Sequence, residues 1–275
     1  MSTTKLNQIE SIGGHTHSSM ATLCYVHAGT TRLTTTLQRA PHLQGEAPAT
    51  CEASPVPIVA AIFDAFGTTV QIKCKRHPFR QLLRIGAKQG RKPRAADLHC
   101  LMTSSLGIER AAELFGISLN ANELRSLEHD LVEELESITV YPDAIEAFRR
   151  LKAAGVATAI CSNLASPYGP VLRRLLGDVD GFALSYELGM MKPHEGIYLD
   201  VCNQLAVRPQ WDHSPSAERV VMIGDSRPCD RDGPRAVGIS GYYLDRSGGG
   251  EIADLVQFVE LVVGESCLDD GTTRK

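Results

Sequence analysis

No apolar stretch in this chain of 275 residues approaches the roughly 18 to 20 residues that a membrane-spanning helix needs. Its start has neither the basic region nor the long apolar core of a secretory leader. The eight cysteines are scattered, with no C-x-x-C pair and no zinc-type array of Cys and His. That argues against a structural zinc site and for reduced thiols. A formal charge of −4 exerts no overall pull toward nucleic acid or an anionic membrane surface. No internal repeat is visible. These absences lead us to expect a soluble cytoplasmic protein with no membrane or nucleic-acid partner. The length suits one large domain, or a core with a smaller insertion.

What is present begins with Ile58-Val59-Ala60-Ala61-Ile62-Phe63, six apolar residues that run into Asp64-Ala65-Phe66-Gly67-Thr68-Thr69. Such a run reads as a strand buried on both faces, of the kind found inside a parallel sheet. Ligands of open α/β sheets sit just beyond the carboxyl ends of the strands, so Asp64 is delivered to the chemically useful edge. An ionised carboxylate there is costly unless a cation meets it.

Upstream, residues 1–56 are rich in Thr, Ser, Gly and Gln and lack periodicity. They read as a poorly ordered extension with Met20 as an alternative start, and their loose histidines (His15, His17, His27) make no metal site. Downstream, residues 73–141 read as helical throughout, with apolar residues every three or four positions in 95–106, 108–115 and 122–138. Asn120 and Glu123 form a helix-start pattern. This block interrupts the strand–helix alternation and reads as an inserted helical cap. Its opening is basic, with Lys73, Lys75, Arg76, Arg80, Arg84, Lys88, Arg91, Lys92 and Arg94 preceding the first acid, Asp97. Two readings stay open for it, a solvated helix face or positive charge offered to an anionic substrate. The interleaved aromatics of a nucleic-acid surface are missing.

From residue 142 the alternation resumes: helix 142–154, strand 156–161 ending on Ser162-Asn163, helix 170–176, and strand 182–185 leading to Lys192-Pro193. Helix 197–205 and strand 219–223 follow, ending on Gly224-Asp225-Ser226, and then helix 230–237, strand 240–244 and helix 252–263. Strands separated by helices imply a parallel sheet. The expected fold is α/β, a doubly wound, Rossmann-like parallel sheet with an inserted helical cap. Its core spans 57–72 and 142–264, its cap 73–141, and its frayed tail 265–275.

Taken together and in this order, Asp64-Ala65-Phe66-Gly67-Thr68, Ser162-Asn163, Lys192-Pro193 and Gly224-Asp225-Ser226-Arg227-Pro228-Cys229-Asp230 resemble the four motifs of the haloacid dehalogenase superfamily. The resemblance covers residues 58 to about 246. It implies a hydrolase in which Asp64 is the covalent nucleophile and the Lys192 ammonium matches developing negative charge. It further implies that Thr68, Ser162 and Asn163 hold the substrate. Asp64, Asp225, Asp230 and the backbone carbonyl of Phe66 would bind Mg²⁺, a hard cation that prefers oxygen ligands. Three acids around an empty hole repel one another, which is the physical reason to expect the metal. The expected substrate is a small anionic molecule.

One residue departs from the pattern. Most phosphatases of the superfamily carry a second Asp two positions after the nucleophile as general acid and base, a role worth about 10²- to 10⁴-fold. Here that position is Phe66, which moves no proton. An Asp-Ala-aromatic-Gly-Thr first motif resembles that of 2-haloacid dehalogenases, whose halide leaves as an anion without acid help. Phosphonoacetaldehyde hydrolases also lack the second Asp but keep Mg²⁺. In the fourth motif, dehalogenases resemble one another in having Ser and Asn where this chain has Asp225 and Arg227. The first motif therefore points to metal-independent dehalogenation and the fourth to metal-dependent phosphoryl hydrolysis, which the retained Asp225 favours. A catalytically weak binding protein that kept the fold is the third reading.

Overall fold

A computed structural model describes residues 57–209 and 218–266. The extension over 1–56, with its three histidines, and the end of the tail lie outside the described residues. Five parallel strands form the central sheet in the order β5-β4-β1-β6-β7: β1 Ile58–Phe63, β4 Ala157–Ser162, β5 Gly181–Leu184, β6 Arg219–Gly224 and β7 Ser240–Tyr243. β1 lies between β4 (Ala61 opposite Thr158) and β6 (Ala61 opposite Val221). Both of its ladders are therefore filled.

Residues of β1 alternate between two cores, as a period of two requires. Ala61 and Phe63 face a cluster containing Leu151 of α5 Pro142–Ala153 and Phe258 of α10 Leu255–Ser266. Ala60 and Ile62 face a second cluster containing Ile197, Tyr198 and Val201 of α8 Glu195–Gln204. The ring of Phe63 meets Phe148 and Phe258 edge-on at 5.0 and 5.6 Å, a geometry that aligns positive edge with negative face. Helices on both faces make the fold α/β and Rossmann-like. Chain direction switches sides at β1, where such sheets open a crevice beyond their carboxyl ends. Shorter helices α6 Gly169–Leu175, α7 Ser185–Leu188 and α9 Gly233–Arg235 complete the connections. Among the described residues no helix is long and apolar enough to cross a membrane.

Between β1 and β4 stand α1 Pro78–Lys88, α2 Ala95–Thr103, α3 Ile108–Phe115 and α4 Ala121–Glu136. The expectation of helix throughout 73–141 needs correcting at its far edge, where Ile138–Val140 is a strand. Strand β2 Val70–Ile72 pairs antiparallel with β3 Ile138–Val140, so the helices hang from a two-stranded ribbon. Three residues are too few for alternation to be read from sequence. At its far end the tail is also shorter than expected, since α10 runs to Ser266. In α1 the apolar Phe79 and Leu82 are buried, while Arg80, Arg84 and Lys88 are exposed four residues apart.

Helix α4 starts where its side chains satisfy the first free amides. Asn120 Oδ1 accepts from the amides of Asn122 and Glu123 at 2.9 and 3.0 Å, and Glu123 Oε2 accepts from the Asn120 amide at 2.9 Å. Replacing Asn120 with Ala removes two of these bonds and is expected to cost about 1 kcal/mol. Thermal unfolding should show a Tm lowered by roughly 2–4 °C.

Candidate active site

The turn after β1 is held from several directions. The amides of Thr68, Thr69 and Val70 converge on the Ala65 carbonyl at 3.3, 2.8 and 2.9 Å, and Thr69 Oγ1 donates to the Asp64 carbonyl at 3.1 Å. Gly67 has φ of 83°, a conformation that other residues adopt only with strain. From the loop after β7, Arg246 donates to the carbonyls of Gly67 at 3.1 Å and Thr68 at 2.6 Å. The same guanidinium donates to Asp143 at 2.9 Å and lies 4.0 Å from the centre of the Tyr141 ring. None of these bonds uses the Phe66 carbonyl.

Lys192 brings the acids together. Its Nζ lies 2.7 Å from Asp64 Oδ1 and 2.6 Å from Asp230 Oδ1, and all three side chains are buried. Asn163 fixes where the lysine starts: its Nδ2 donates to the Lys192 carbonyl at 2.9 Å and its Oδ1 accepts from the Lys192 amide at 2.7 Å. Each end of the Asn163 amide thus holds the Lys192 backbone, with one Nδ2 hydrogen and one Oδ1 lone pair to spare. Ser162 Oγ donates to Asp64 Oδ1 at 3.1 Å. Asp230 stands on a π-helical turn, Arg227–Asp232, a form frequent at functional sites. Its Oδ2 accepts from the Ser226 amide at 2.9 Å. A Cβ on Gly224 would collide with the Asp230 carboxyl, so glycine there lets this acid turn inward.

Ligand atoms of Asp64, Asp225 and Asp230 lie within 4.8 Å of one another. Burial and the charges of Asp64 and Asp230 push the Asp225 carboxyl up to about 7, against the pull of Lys192. Burial and Asp64 push Asp230 up to about 6, again opposed by Lys192. Burial alone would lower the Lys192 ammonium, but Asp230 and Asp64 outweigh it and hold its pKa well above the ordinary value. Among the described residues six buried side-chain atoms lack a partner; two of them, His77 Nδ1 and Thr139 Oγ1, belong to the inserted segment, and four belong to the motif residues: Asp64 Oδ2, Asp225 Oδ1, Thr68 Oγ1 and Ser226 Oγ. Unpaired buried polar groups are costly and call for a ligand. The two carboxylate oxygens suit a cation, and the two hydroxyls suit an anion's oxygens. The acidic set therefore fits a hard divalent ion. Asp230, with both oxygens engaged, would reach it by sharing or through water.

Asp64, Ser162, Lys192, Asp225 and Asp230 are thus assembled at one place, with Thr68 in the turn beside them. Two contributors had no signal strong enough to be read in advance. Arg246 acts on Thr68 from 178 residues away. Glu134, fully buried in α4, accepts from the Tyr168 hydroxyl at 2.6 Å, and the Tyr168 ring meets Phe66 edge-on at 5.7 Å. Periodicity held a trace of it, because Glu134 lies on the apolar stripe with Leu127, Leu131 and Ile138.

The sequence model for haloacid dehalogenase-like hydrolases matches residues 58–238. The chain belongs to that family. Like others of the haloacid dehalogenase family, it is a hydrolase. It is 29% identical over 175 residues to (S)-2-haloacid dehalogenase 1 of Pseudomonas sp. (strain CBS-3), covering 56% of this chain and 73% of the relative. Its fold is similar to that of a HAD phosphatase from Thermococcus onnurineus, with a TM-score of 0.53 at 22% identity over 76% of this chain and 99% of that one. It is also similar to a dehalogenase solved with an intermediate complex, with a TM-score of 0.51 at 20% identity over 75% and 98%.

Proposed function

We propose that this haloacid dehalogenase-family hydrolase cleaves phosphoryl groups from a small anionic substrate, with Mg²⁺ and through an aspartyl-phosphate on Asp64. The observation that carries this reading is Asp225, whose buried Oδ1 has no donor and whose charge belongs to a cluster with Asp64 and Asp230. A third acid here has no use in a metal-free dehalogenase. Asp64, Asp225 and the Phe66 carbonyl, with Asp230 behind them, would hold the ion, which when bound neutralises charge on the transferring phosphoryl oxygens. One carboxylate oxygen of Asp64 attacks phosphorus while the other faces the ion, and the bond to the leaving oxygen breaks as the new one forms. The Lys192 ammonium and the Thr68 and Ser226 hydroxyls hold the equatorial oxygens. Water then opens the acyl phosphate and frees Asp64. The four inserted helices over 73–141 act as the cap that sets substrate choice.

The leaving group departs without help from position 66, where Phe66 is buried against Tyr168. Acyl phosphates, phosphoanhydrides and phosphonates should therefore outrun alkyl phosphates. The test is p-nitrophenyl phosphate turnover with and without EDTA. We expect activity to fall at least about 10²-fold on chelation and to return with Mg²⁺. Introducing Phe66→Asp should help alkyl esters most.

A second reading has its own support, the Asp-Ala-Phe-Gly-Thr run and the likeness to (S)-2-haloacid dehalogenase 1. In it Asp64 displaces halide from a 2-haloacid, and water hydrolyses the resulting ester. Arg94, one candidate for the substrate carboxylate, is exposed at the start of α2 with its amide bonded to Asp97 at 2.8 Å. Chloride release from 2-chloropropionate that is unaffected by EDTA would replace the phosphoryl reading with this one.

A further inference from the structure

Thr68 is fully buried, and among the described residues its Oγ1 has no hydrogen-bond partner. No bond at the hydroxyl therefore sets its direction. Its neighbour differs, because Thr69 Oγ1 donates to the carbonyls of Asp64 at 3.1 Å and Ala65 at 3.2 Å and is anchored by its own bonds. The aim of the Thr68 side chain comes instead from its backbone, through the two rigid peptide planes on either side of its Cα. The plane before it is the weaker one. It joins Thr68 to Gly67, whose lack of a Cβ permits φ of 83° and leaves that plane easy to rotate. Its amide end reaches the Ala65 carbonyl at 3.3 Å, the longest of the three amide bonds made there.

Arg246 closes both planes from the other side. Its Nε donates to the Gly67 carbonyl at 3.1 Å and its Nη2 to the Thr68 carbonyl at 2.6 Å. Each plane flanking Thr68 is thus held at both ends, with N–H on Ala65 and C=O on Arg246. The guanidinium is itself oriented. Nη1 and Nη2 donate to the two oxygens of Asp143 at 2.9 and 3.3 Å, and the centre of the Tyr141 ring lies 4.0 Å from Cζ. Asp143 belongs to the first turn of α5, and its Oδ2 accepts at 2.9 Å from the amide of Leu255, which opens α10. A carboxylate at two helix starts is favoured by both dipoles. All three nitrogens of Arg246 are spent, so it is not offered to a substrate. A planar fork reaches two carbonyls and a carboxylate at once, which a lysine ammonium does not.

We propose that Arg246 is a positioning residue, which locks the peptide planes on both sides of Thr68 and so aims the unpaired hydroxyl at a substrate oxygen. This role rests on Asp64 being the reacting group, in phosphoryl or haloacid chemistry alike.

The direction of the Thr68 side chain can be measured without turnover. Three-bond couplings from the Thr68 methyl carbon to its own backbone nitrogen and carbonyl carbon, recorded on the isotope-labelled full chain, report its χ1 rotamer. The parent should show one staggered rotamer and Arg246→Lys a mixture, with Thr69 keeping a single rotamer in both. Kinetics then ask whether the aim matters. Arg246→Lys should lower kcat/KM about 10- to 100-fold for whichever of p-nitrophenyl phosphate and 2-chloropropionate the parent turns over. In a Thr68→Val background the same change should cost less than about twofold, because no hydroxyl remains to be aimed. A role confined to stability gives equal losses in both backgrounds. Asp143→Asn keeps an acceptor for the Leu255 amide but removes the charge that orients the guanidinium. It should act in the same direction by a smaller factor, and it replaces Arg246→Lys if that variant does not fold. A single Thr68 rotamer in the variant, or equal losses in the two backgrounds, would overturn the role of Arg246. If the parent turns over neither substrate, the reaction assigned to Asp64 fails and the couplings alone decide the clamp.

Discussion

Substituting Asp64→Asn should abolish turnover, by on the order of 10⁴-fold or more, in a protein that folds as well as the parent. The amide oxygen can still accept from Ser162 and Lys192, which reach Asp64 Oδ1 at 3.1 and 2.7 Å. Lys192 also keeps its 2.6 Å partner Asp230, so no buried ammonium is stranded. What disappears is the nucleophile and one of three mutually repelling charges. Asp64 helps to push Asp225 and Asp230 up, so its removal lets both fall back toward ordinary carboxylates. Activity assays beside thermal unfolding separate the two effects. Unchanged turnover in a folded variant would end every reading that places covalent chemistry on this residue.

Lys192→Met should do the opposite, damaging the fold as well as the reaction. Methionine fills the space of the aliphatic stem, but Asp64 Oδ1 and Asp230 Oδ1 lose the cation that lay 2.7 and 2.6 Å away. Breaking a buried ion pair by removing one partner costs about 3–5 kcal/mol. For a domain of this size that lowers Tm by roughly 6–20 °C. The loss should depend on pH in a definite direction. Asp225 and Asp230 already stand at about 7 and about 6, above their unfolded values, so they bind protons more tightly in the folded state. The stability they contribute is whole below about pH 4 and is lost as pH rises through their folded values. Without the ammonium both are pushed higher still. In metal-free protein the deficit of Lys192→Met should therefore widen between pH 5 and pH 8, and Mg²⁺ should narrow it at pH 8. A deficit that stays flat over this range would mean that Lys192 does not hold the acids in place.

The sheet was legible because its strands are buried on both faces, so each appears as an apolar run that stops at a polar group. Ile58–Phe63 stopping at Asp64 and Arg219–Gly224 stopping at Asp225 are the clearest cases. What a single strand cannot reveal is its neighbours, so order and register are properties of the folded sheet that no one segment carries. Asp64, Lys192 and Asp230 stood out through the resemblance of their surroundings to the haloacid dehalogenase motifs. Asn163 stood out too, but its partner is the backbone of Lys192, and side-chain-to-backbone bonds leave no pattern in a sequence. Glu134 was hidden for a different reason. It sits in Glu133-Glu134-Leu135-Glu136, where one more acid reads as a solvated face unless the apolar stripe is followed through it. Arg246 belongs to a loop after the last strand, and nothing local connects it to Gly67 and Thr68.

The ribbon that carries α1–α4 consists of two strands of three residues each, and these pair with each other rather than with the sheet. Excising everything between them would leave each hydrogen-bonded rung around Asp64 intact. The four helices thus attach to the rest of the fold through a narrow stalk that the central sheet does not share.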